Sequence, residues 1–187
     1  VDCPTGRVFE SGDSSGLHFT PTGLVLPSSP RCDVTAHPHP PAAGAADGAT
    51  GDARQFWIAM DLQGLFYTTD AGRTVTKLPT VAVAHAVAVG APARAGGEPV
   101  VYIFGTVRGK EAELRPTEWR PWASLDRGHS WIDLRDQSGQ LGLGNWPAVL
   151  TASRRDFGVL YVGSFGSGAM SANVSDLLLA ATSVLRT

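Results

Sequence analysis

Ser124-Leu125-Asp126-Arg127-Gly128-His129-Ser130-Trp131 decides how this chain is read, because the pattern returns upstream. It recurs as Thr68-Thr69-Asp70-Ala71-Gly72-Arg73-Thr74-Val75. A looser copy, one residue longer, is Ser11-Gly12-Asp13-Ser14-Ser15-Gly16-Leu17-His18-Phe19. The aspartates stand at positions 13, 70 and 126, in steps of 57 and 56 residues. Recurrence at a fixed step marks a repeat architecture.

Chemically the pattern reads as a tight turn between two strands. The Asp side chain accepts hydrogen bonds from backbone N–H groups of its own turn. Gly72 and Gly128 supply the backbone freedom that the turn needs. Trp131 and Phe19 are expected to leave the turn and pack between neighbouring sheets, Val75 less effectively. The pattern resembles the Asp-box, S-x-D-x-G-x-T-W, of the β-propellers of sialidases, sortilins and some glycoside hydrolases. On that resemblance Asp13, Asp70, Gly72, Asp126, Gly128 and Trp131 are structural residues that hold turns, with the copy at Asp13 degenerate.

Composition fits one globular domain. The 187 residues are 43% hydrophobic and 17% charged, with 22 glycines and 13 prolines, which suits many short strands and turns. A net charge of −2 gives no basis for electrostatic binding to nucleic acid or to an anionic membrane. No apolar run approaches the roughly 20 residues of a transmembrane helix. The first residue is Val1 and no signal peptide is visible, so the chain is expected to be a processed product or a fragment.

Cys3 and Cys32 are expected to form one disulfide around the first turn, stabilising the N-terminal part by roughly 2–4 kcal/mol. Two free buried thiols are the alternative. Asn173-Val174-Ser175 is an N-glycosylation sequon. Together the two signals lean towards an extracellular protein.

Along the chain, residues 1–26 read as the end of a blade. Residues 27–54, rich in Pro, Ala, Gly and Asp, read as a long loop or insertion. Its His37 and His39 lack a third ligand at useful spacing and read as solvated, so no metal site is expected. Residues 55–187 read as consecutive blades and a closing segment. The strand signals are Gln55–Met60, Gly64–Thr69, Val75–Leu78, Ala84–Val89, Pro99–Phe104, Trp119–Ser124, Ser130–Leu134, Ala148–Thr151 and Gly158–Gly163. Four short strands per repeat is the unit of a propeller blade. The tail from Val174 to Arg186 reads as a short helix or a closing strand.

The run Trp57-Ile58-Ala59, Gly64-Leu65-Phe66-Tyr67-Thr68-Thr69-Asp70-Ala71-Gly72, Lys77-Leu78 and Ala84-His85-Ala86-Val87 resembles the C-terminal propeller of glycoside hydrolase family 74, the xyloglucanases. So does Tyr102-Ile103-Phe104-Gly105-Thr106-Val107-Arg108-Gly109-Lys110-Glu111. Phe157-Gly158-Val159-Leu160-Tyr161-Val162-Gly163-Ser164-Phe165-Gly166-Ser167-Gly168 resembles the family's closing motif, Y-G-R-V-Y-V-G-T-N-G-R-G. The resemblance is collinear over about residues 55–170. It implies two facing seven-bladed propellers with a catalytic carboxylate from early in each. This chain resembles only the last blades of the second propeller, so no catalytic residue is carried over. The sequence departs from the family at 135–141 after the last box, and at the insertion 115–122 before it.

In such blades the second-to-third-strand connections and the blade-to-blade links lie on one face. Asp61, Arg108, Glu111, Glu113, Arg115 and Trp119 fall in connections of the first kind; Gln140, Asn145 and Trp146 fall in a link. The candidate substrate-binding residues are Trp119, Trp146, Arg115 and Gln140, since flat aromatic faces and polar side chains suit sugars. Trp119 and Trp146 read equally well as packing residues, and Trp57 and Trp131 as core. Glycosidase chemistry needs two carboxyl groups about 5–10 Å apart, one with a raised pKa. Glu111 and Glu113 read instead as a solvated loop. No Ser/His/Asp order, P-loop or CxxC pattern is present, and no cofactor is expected.

The reading is an all-β chain of about three to three and a half four-stranded antiparallel propeller blades, part of a larger propeller. Unclosed ends expose a sheet face and a strand edge, so a companion chain or fragment is expected to complete it. The first functional expectation is a segment of a secreted xyloglucanase-like hydrolase acting on β-1,4-glucan. The second is a non-catalytic, sortilin-like extracellular propeller that binds protein or glycan.

Overall fold

Val81-Ala82-Val83-Ala84-His85-Ala86-Val87-Ala88-Val89-Gly90 forms the strand around which the molecule is organised. Along it, Ala84, Val87 and Val89 face one neighbouring sheet, while Ala86 and Ala88 face the other. Both faces are buried, so the strand reads as a continuous apolar run rather than a polar–apolar alternation. The computed structural model describes residues 1–11, 16–37, 55–109, 120–134, 147–166 and 168–184.

In chain order the elements are β1 (Arg7–Glu10), β2 (Thr20–Val25), β3 (Asp33–Ala36), β4 (Phe56–Ala59), β5 (Leu65–Thr68), β6 (Thr76–Lys77), β7 (Val81–Gly90), β8 (Val100–Val107), β9 (Arg120–Ser124), β10 (Ile132–Asp133), β11 (Pro147–Ala152), β12 (Val159–Ser164), β13 (Gly168–Asn173) and α1 (Ser175–Val184). They form a two-stranded sheet β1-β2, two four-stranded sheets β3-β4-β5-β6 and β7-β8-β9-β10, and a three-stranded sheet β11-β12-β13. Every pairing is antiparallel between neighbours in sequence. This up-and-down order, repeated sheet after sheet, is the propeller blade.

The first strands of successive sheets adjoin. β7 packs on β3 to one side and on β11 to the other. Among the described residues, three cores lie between the four sheets. Val8, Leu26, Ile58, Met60 and Phe66 fill the space between the first two sheets. Trp57, Leu65, Val81, Val87, Val101, Ile103 and Trp122 fill the next. Val100, Tyr102, Phe104, Leu150, Leu160, Val162 and Leu178 fill the third. The period of two is visible in β4, where Ile58 points to one core and Trp57 and Ala59 to the other. It is visible again in β8, where Val101 and Ile103 oppose Val100, Tyr102 and Phe104.

Three sequence expectations need correction. His37 is not solvated: it is buried just after β3, its N–H donating to Gln55 C=O at 2.9 Å. The stretch 27–54 is not all loop. Asp33–Ala36 pairs with β4 residue for residue, from Asp33 opposite Ala59 to Ala36 opposite Phe56, and supplies the first strand of a blade. Four residues with two polar ones carry too little periodicity to stand out beside a Pro/Ala-rich run. Residues 38–54 lie outside the described residues. Phe19 does not pack between sheets; it is 62% exposed. Trp131 and Val75 pack on the cores shared with the sheet that precedes their own. The sheet of β1 and β2 has no predecessor among the described residues. Of the two readings of the tail, the helix is the one formed. Asn173 Oδ1 accepts from Ser175 N–H at 3.0 Å, Asp176 lies in the first turn, and Leu178 is buried on the third core.

Cys3 and Cys32 are joined in a disulfide, with Cα atoms 5.5 Å apart. It ties the chain entering β1 to the link between β2 and β3. With a separation of 29 residues, loop entropy makes such a bridge worth about 3–4 kcal/mol.

Candidate functional site

The ends of the strands define two kinds of connection. The β5–β6 and β9–β10 connections hold the recurring Asp turns. In the first, Asp70-Ala71-Gly72-Arg73 is closed by Arg73 N–H donating to Asp70 C=O at 3.4 Å. Ala71 and Gly72 have φ of 63° and 83°. In the second, His129 N–H donates to Asp126 C=O at 3.3 Å, and Arg127 and Gly128 have φ of 56° and 85°. Two consecutive positive φ values make a type I′ turn, whose twist matches that of paired strands.

The aspartates then pin the residue that leaves each turn. Asp70 Oδ1 accepts from Thr74 N–H at 2.9 Å and Oδ2 from the Thr74 hydroxyl at 2.7 Å. Asp126 repeats this with Ser130, at 2.9 and 2.6 Å. Thr68 and Ser124 close each turn from the other side, their hydroxyls accepting from Gly72 N–H at 3.0 Å and Gly128 N–H at 2.7 Å. The Thr74 backbone N–H, then its hydroxyl, hold Asp70 down at about 2. Burial opposes ionisation of Asp126, but the Ser130 hydroxyl and N–H outweigh it and lower its pKa. These carboxylates are held ionised by their own turns, which suits structure and not proton transfer. Asp13 lies outside the described residues.

At the opposite strand ends lie the β4–β5 hairpin and the links into β3 and β7. Here the second sheet is fastened to β7. Asp61, in the left-handed region at φ 51°, forms a two-way backbone bridge with Ala84. Its N–H donates to Ala84 C=O at 2.8 Å, and its C=O accepts from Ala84 N–H at 3.0 Å. Its carboxylate Oδ1 lies 2.5 Å from Nδ1 of His85, which is 2% exposed. Asp33 Oδ2 accepts from Val87 N–H at 3.0 Å. Ser29 Oγ donates to Arg31 C=O at 2.6 Å and to Met60 C=O at 3.2 Å. Burial, followed by the positive charge of Arg31, lowers the His85 pKa against the opposing pull of Asp61.

The four sugar-binding candidates, Trp119, Trp146, Arg115 and Gln140, all fall outside the described residues, as do Glu111 and Glu113. Their flanks place the β8–β9 connection at this end of the sheets: β8 ends at Val107 and β9 begins at Arg120, with Arg108 N–H donating to Thr80 C=O at 2.9 Å. Asp61 is at the predicted connection. Asp33 and His85 are residues that sequence reasoning passed over. His85 did leave a signal, as the one polar side chain within an Ala/Val run. Trp57 is core, stacked near Tyr67 with ring centroids 4.4 Å apart. Asn173 is exposed at the end of β13. No group of three or more potential metal ligands occurs among the described residues.

Two solved structures share this architecture. A GH74 enzyme from Niastella koreensis matches 93% of the chain with a TM-score of 0.52 and 24% identity, over 28% of its own length. The GH74 xyloglucanase from Xanthomonas campestris matches 91% with a TM-score of 0.65 and 23% identity, over 21% of its length. The fold is that of GH74 propeller enzymes. In sequence, this GH74-like chain is 27% identical over 125 residues to the oligoxyloglucan-reducing end-specific xyloglucanase of Emericella nidulans. It is 28% identical over 176 residues to a xyloglucanase of Hypocrea jecorina. These matches take in 66% and 89% of the chain. The chain spans only 15% and 18% of those relatives. No family model matches the chain.

Proposed function

We propose that this chain is a blade segment of an extracellular xyloglucanase-like glycoside hydrolase acting on β-1,4-glucan, and that the catalytic carboxylates come from other blades. The collinear similarity to xyloglucanases of two fungi, over up to 89% of the chain, carries this reading. The propeller fold supports it. So does the chemistry of four of the described aspartates: Asp70 and Asp126 are committed to turns, and Asp33 and Asp61 to fastening one sheet to the next.

Other blades of the same protein, or a companion chain, cover the outer faces of the terminal sheets. Leu17, Phe19 and Val25 are 78%, 62% and 66% exposed at one end. Val149, Tyr161 and Phe165 are 57%, 45% and 60% exposed at the other. Exposed apolar side chains on the terminal sheets and the turns beside them call for a packed neighbour. The Cys3–Cys32 disulfide and the exposed Asn173 of the sequon support secretion and a glycan.

Within that protein, Trp119, Trp146, Arg115 and Gln140 contribute to the sugar-binding face. The test uses xyloglucan and its oligosaccharides with the 187-residue chain, its Trp119→Ala and Trp146→Ala variants, and a polypeptide carrying both complete propellers. The expected result is hydrolysis by the complete polypeptide only, and weak sugar binding by the chain that each substitution reduces. Hydrolysis by the chain alone overturns the assignment of catalysis to other blades. A complete polypeptide that binds glycan without cleaving it favours a non-catalytic propeller.

A further inference from the structure

The geometry points to an acid-released clasp between the second and third sheets, built from Asp61, His85 and Asp33. Its parts come from both sides of one interface. Asp61 and Asp33 stand at the same end of the second sheet, where Asp33 is opposite Ala59 and Asp61 follows Met60. Both reach β7, Asp61 through its backbone bridge to Ala84 and its contact with His85, Asp33 through Val87 N–H. The pairing of β7 with β8 shifts register between Ala84 and Ala86. That irregularity turns His85 out of the regular ladder at the level of Asp61.

Among the described residues, few ionisable groups face His85. The β4–β5 hairpin brings Asp61 and the link before β3 brings Arg31. β3 brings Asp33, already engaged by Val87 N–H. β4 and β11 carry no titratable side chain. β5 carries Tyr67, which donates to Gln55 Oε1 at 3.1 Å. β8 carries only Tyr102, which belongs to the core on the far side of β7. A buried, neutral imidazole beside the Asp61 carboxylate therefore closes the clasp near pH 7. A second proton would place a cation in a nearly sealed site that already feels Arg31. Burial, the largest influence, with Arg31 outweighs the pull of the Asp61 carboxylate, so the folded form takes that proton up at lower pH than the unfolded chain does.

Linkage sets the sign. Below the ordinary histidine pKa of about 6.5 the unfolded chain binds a proton that the folded form refuses. Stability is full above that pH and falls as the solution is acidified. The clasp is thus a device that loosens one blade-to-blade junction in mild acid.

The experiment compares thermal melting of the 187-residue chain and its His85→Asn variant from about pH 7.5 to 5, the span in which a histidine titrates. Asparagine keeps a donor near the Nδ1 position but does not titrate. In parallel, imidazole nitrogen resonances of the unsubstituted chain are followed by NMR over the same range. The expected result is an extra acid-induced fall in Tm of at least about 2 °C in the unsubstituted chain. His85 is also expected to stay neutral at about pH 6.5, where a free imidazole is half protonated. Identical pH dependence of the two melting curves overturns the clasp. So does a His85 that titrates like a free imidazole, a readout that holds even where the variant fails to fold.

Discussion

The turns at Asp70 and Asp126 make the same hydrogen bonds within a few tenths of an ångström, yet they dock differently on the rest of the molecule. After the Asp126 turn comes Trp131, half-buried against the core between the second and third sheets. Its Nε1 donates to Thr80 Oγ1 at 3.1 Å, and Thr80 in turn donates to Gly128 C=O at 2.5 Å. A Cβ added at Gly128 would overlap Leu78 Cδ2. After the Asp70 turn comes Val75, and a Cβ at Gly72 would meet Phe56 Cζ at 3.0 Å and Val8 Cγ1 at 3.2 Å, tight but less so. The turn is a local code written in eight residues. Its seating is set by whichever side chains the preceding sheet offers.

The strongest test of that separation is a pair of glycine substitutions. Both alanines meet the same left-handed backbone, at about 1–2 kcal/mol. Gly128→Ala adds overpacking against buried Leu78, for a total of about 3–4 kcal/mol. Gly72→Ala is expected to cost about 1–2 kcal/mol, because the ring edge of Phe56 can shift. Equal losses in urea denaturation would mean that the turns, not their seats, set the cost.

Exchanging the residue after the turn tests the seat directly. Trp131→Val gives the second turn the side chain of the first and forfeits part of a half-buried aromatic and the Thr80 hydrogen bond. A loss of about 2 kcal/mol is expected, with the urea midpoint as readout. No loss would make the indole irrelevant to the seat.

Acid separates the turns by charge. Each depressed carboxylate pKa contributes stability that is present above the unfolded value, near about 4, and lost as pH falls through the folded one. For Asp70 that window runs from about pH 4 down to about 2. Asp70→Asn and Asp126→Asn should each flatten the dependence of the midpoint on pH in that range. A variant with unchanged pH dependence would show that its aspartate is not held by its turn.

The smallest expected effect is a gain. Ala71 occupies a left-handed position at φ 63° that asparagine tolerates better. Ala71→Asn is expected to add about 0.5 kcal/mol, measured as a rise in Tm of about 1–2 °C. A loss there would point to a contact of Ala71 that matters more than its backbone.

Much of the fold is legible in the sequence because propeller blades repeat. The recurring Asp turns mark the step, and apolar runs such as Val100–Phe104 mark the strands between them. β3 escapes such a reading because a strand of four residues, two of them polar, shows its role only in its pairing with β4. For α1, Leu177-Leu178-Leu179 suits a helix or a strand alike; Leu178 N–H donating to Val174 C=O at 3.0 Å, four residues back, decides for the helix. In the candidate site, Asp61 is placed by its position in a connection. Asp33 and His85 are not, because nothing local joins residues 33, 61 and 85.

By itself the sequence determined the features that depend on neighbours along the chain: the type I′ turns, the strand periods and the cysteine pair close enough in sequence to close a short loop. Backbone sterics and side-chain hydrogen bonds over a few residues suffice for these. Only the tertiary structure decided which sheet each turn seats on, why Phe19 lies open while Trp131 is covered, and that two aspartates of one blade hold the histidine strand of the next. Those outcomes depend on groups as much as 54 residues apart meeting across a packed interface, and no local pattern records such a meeting.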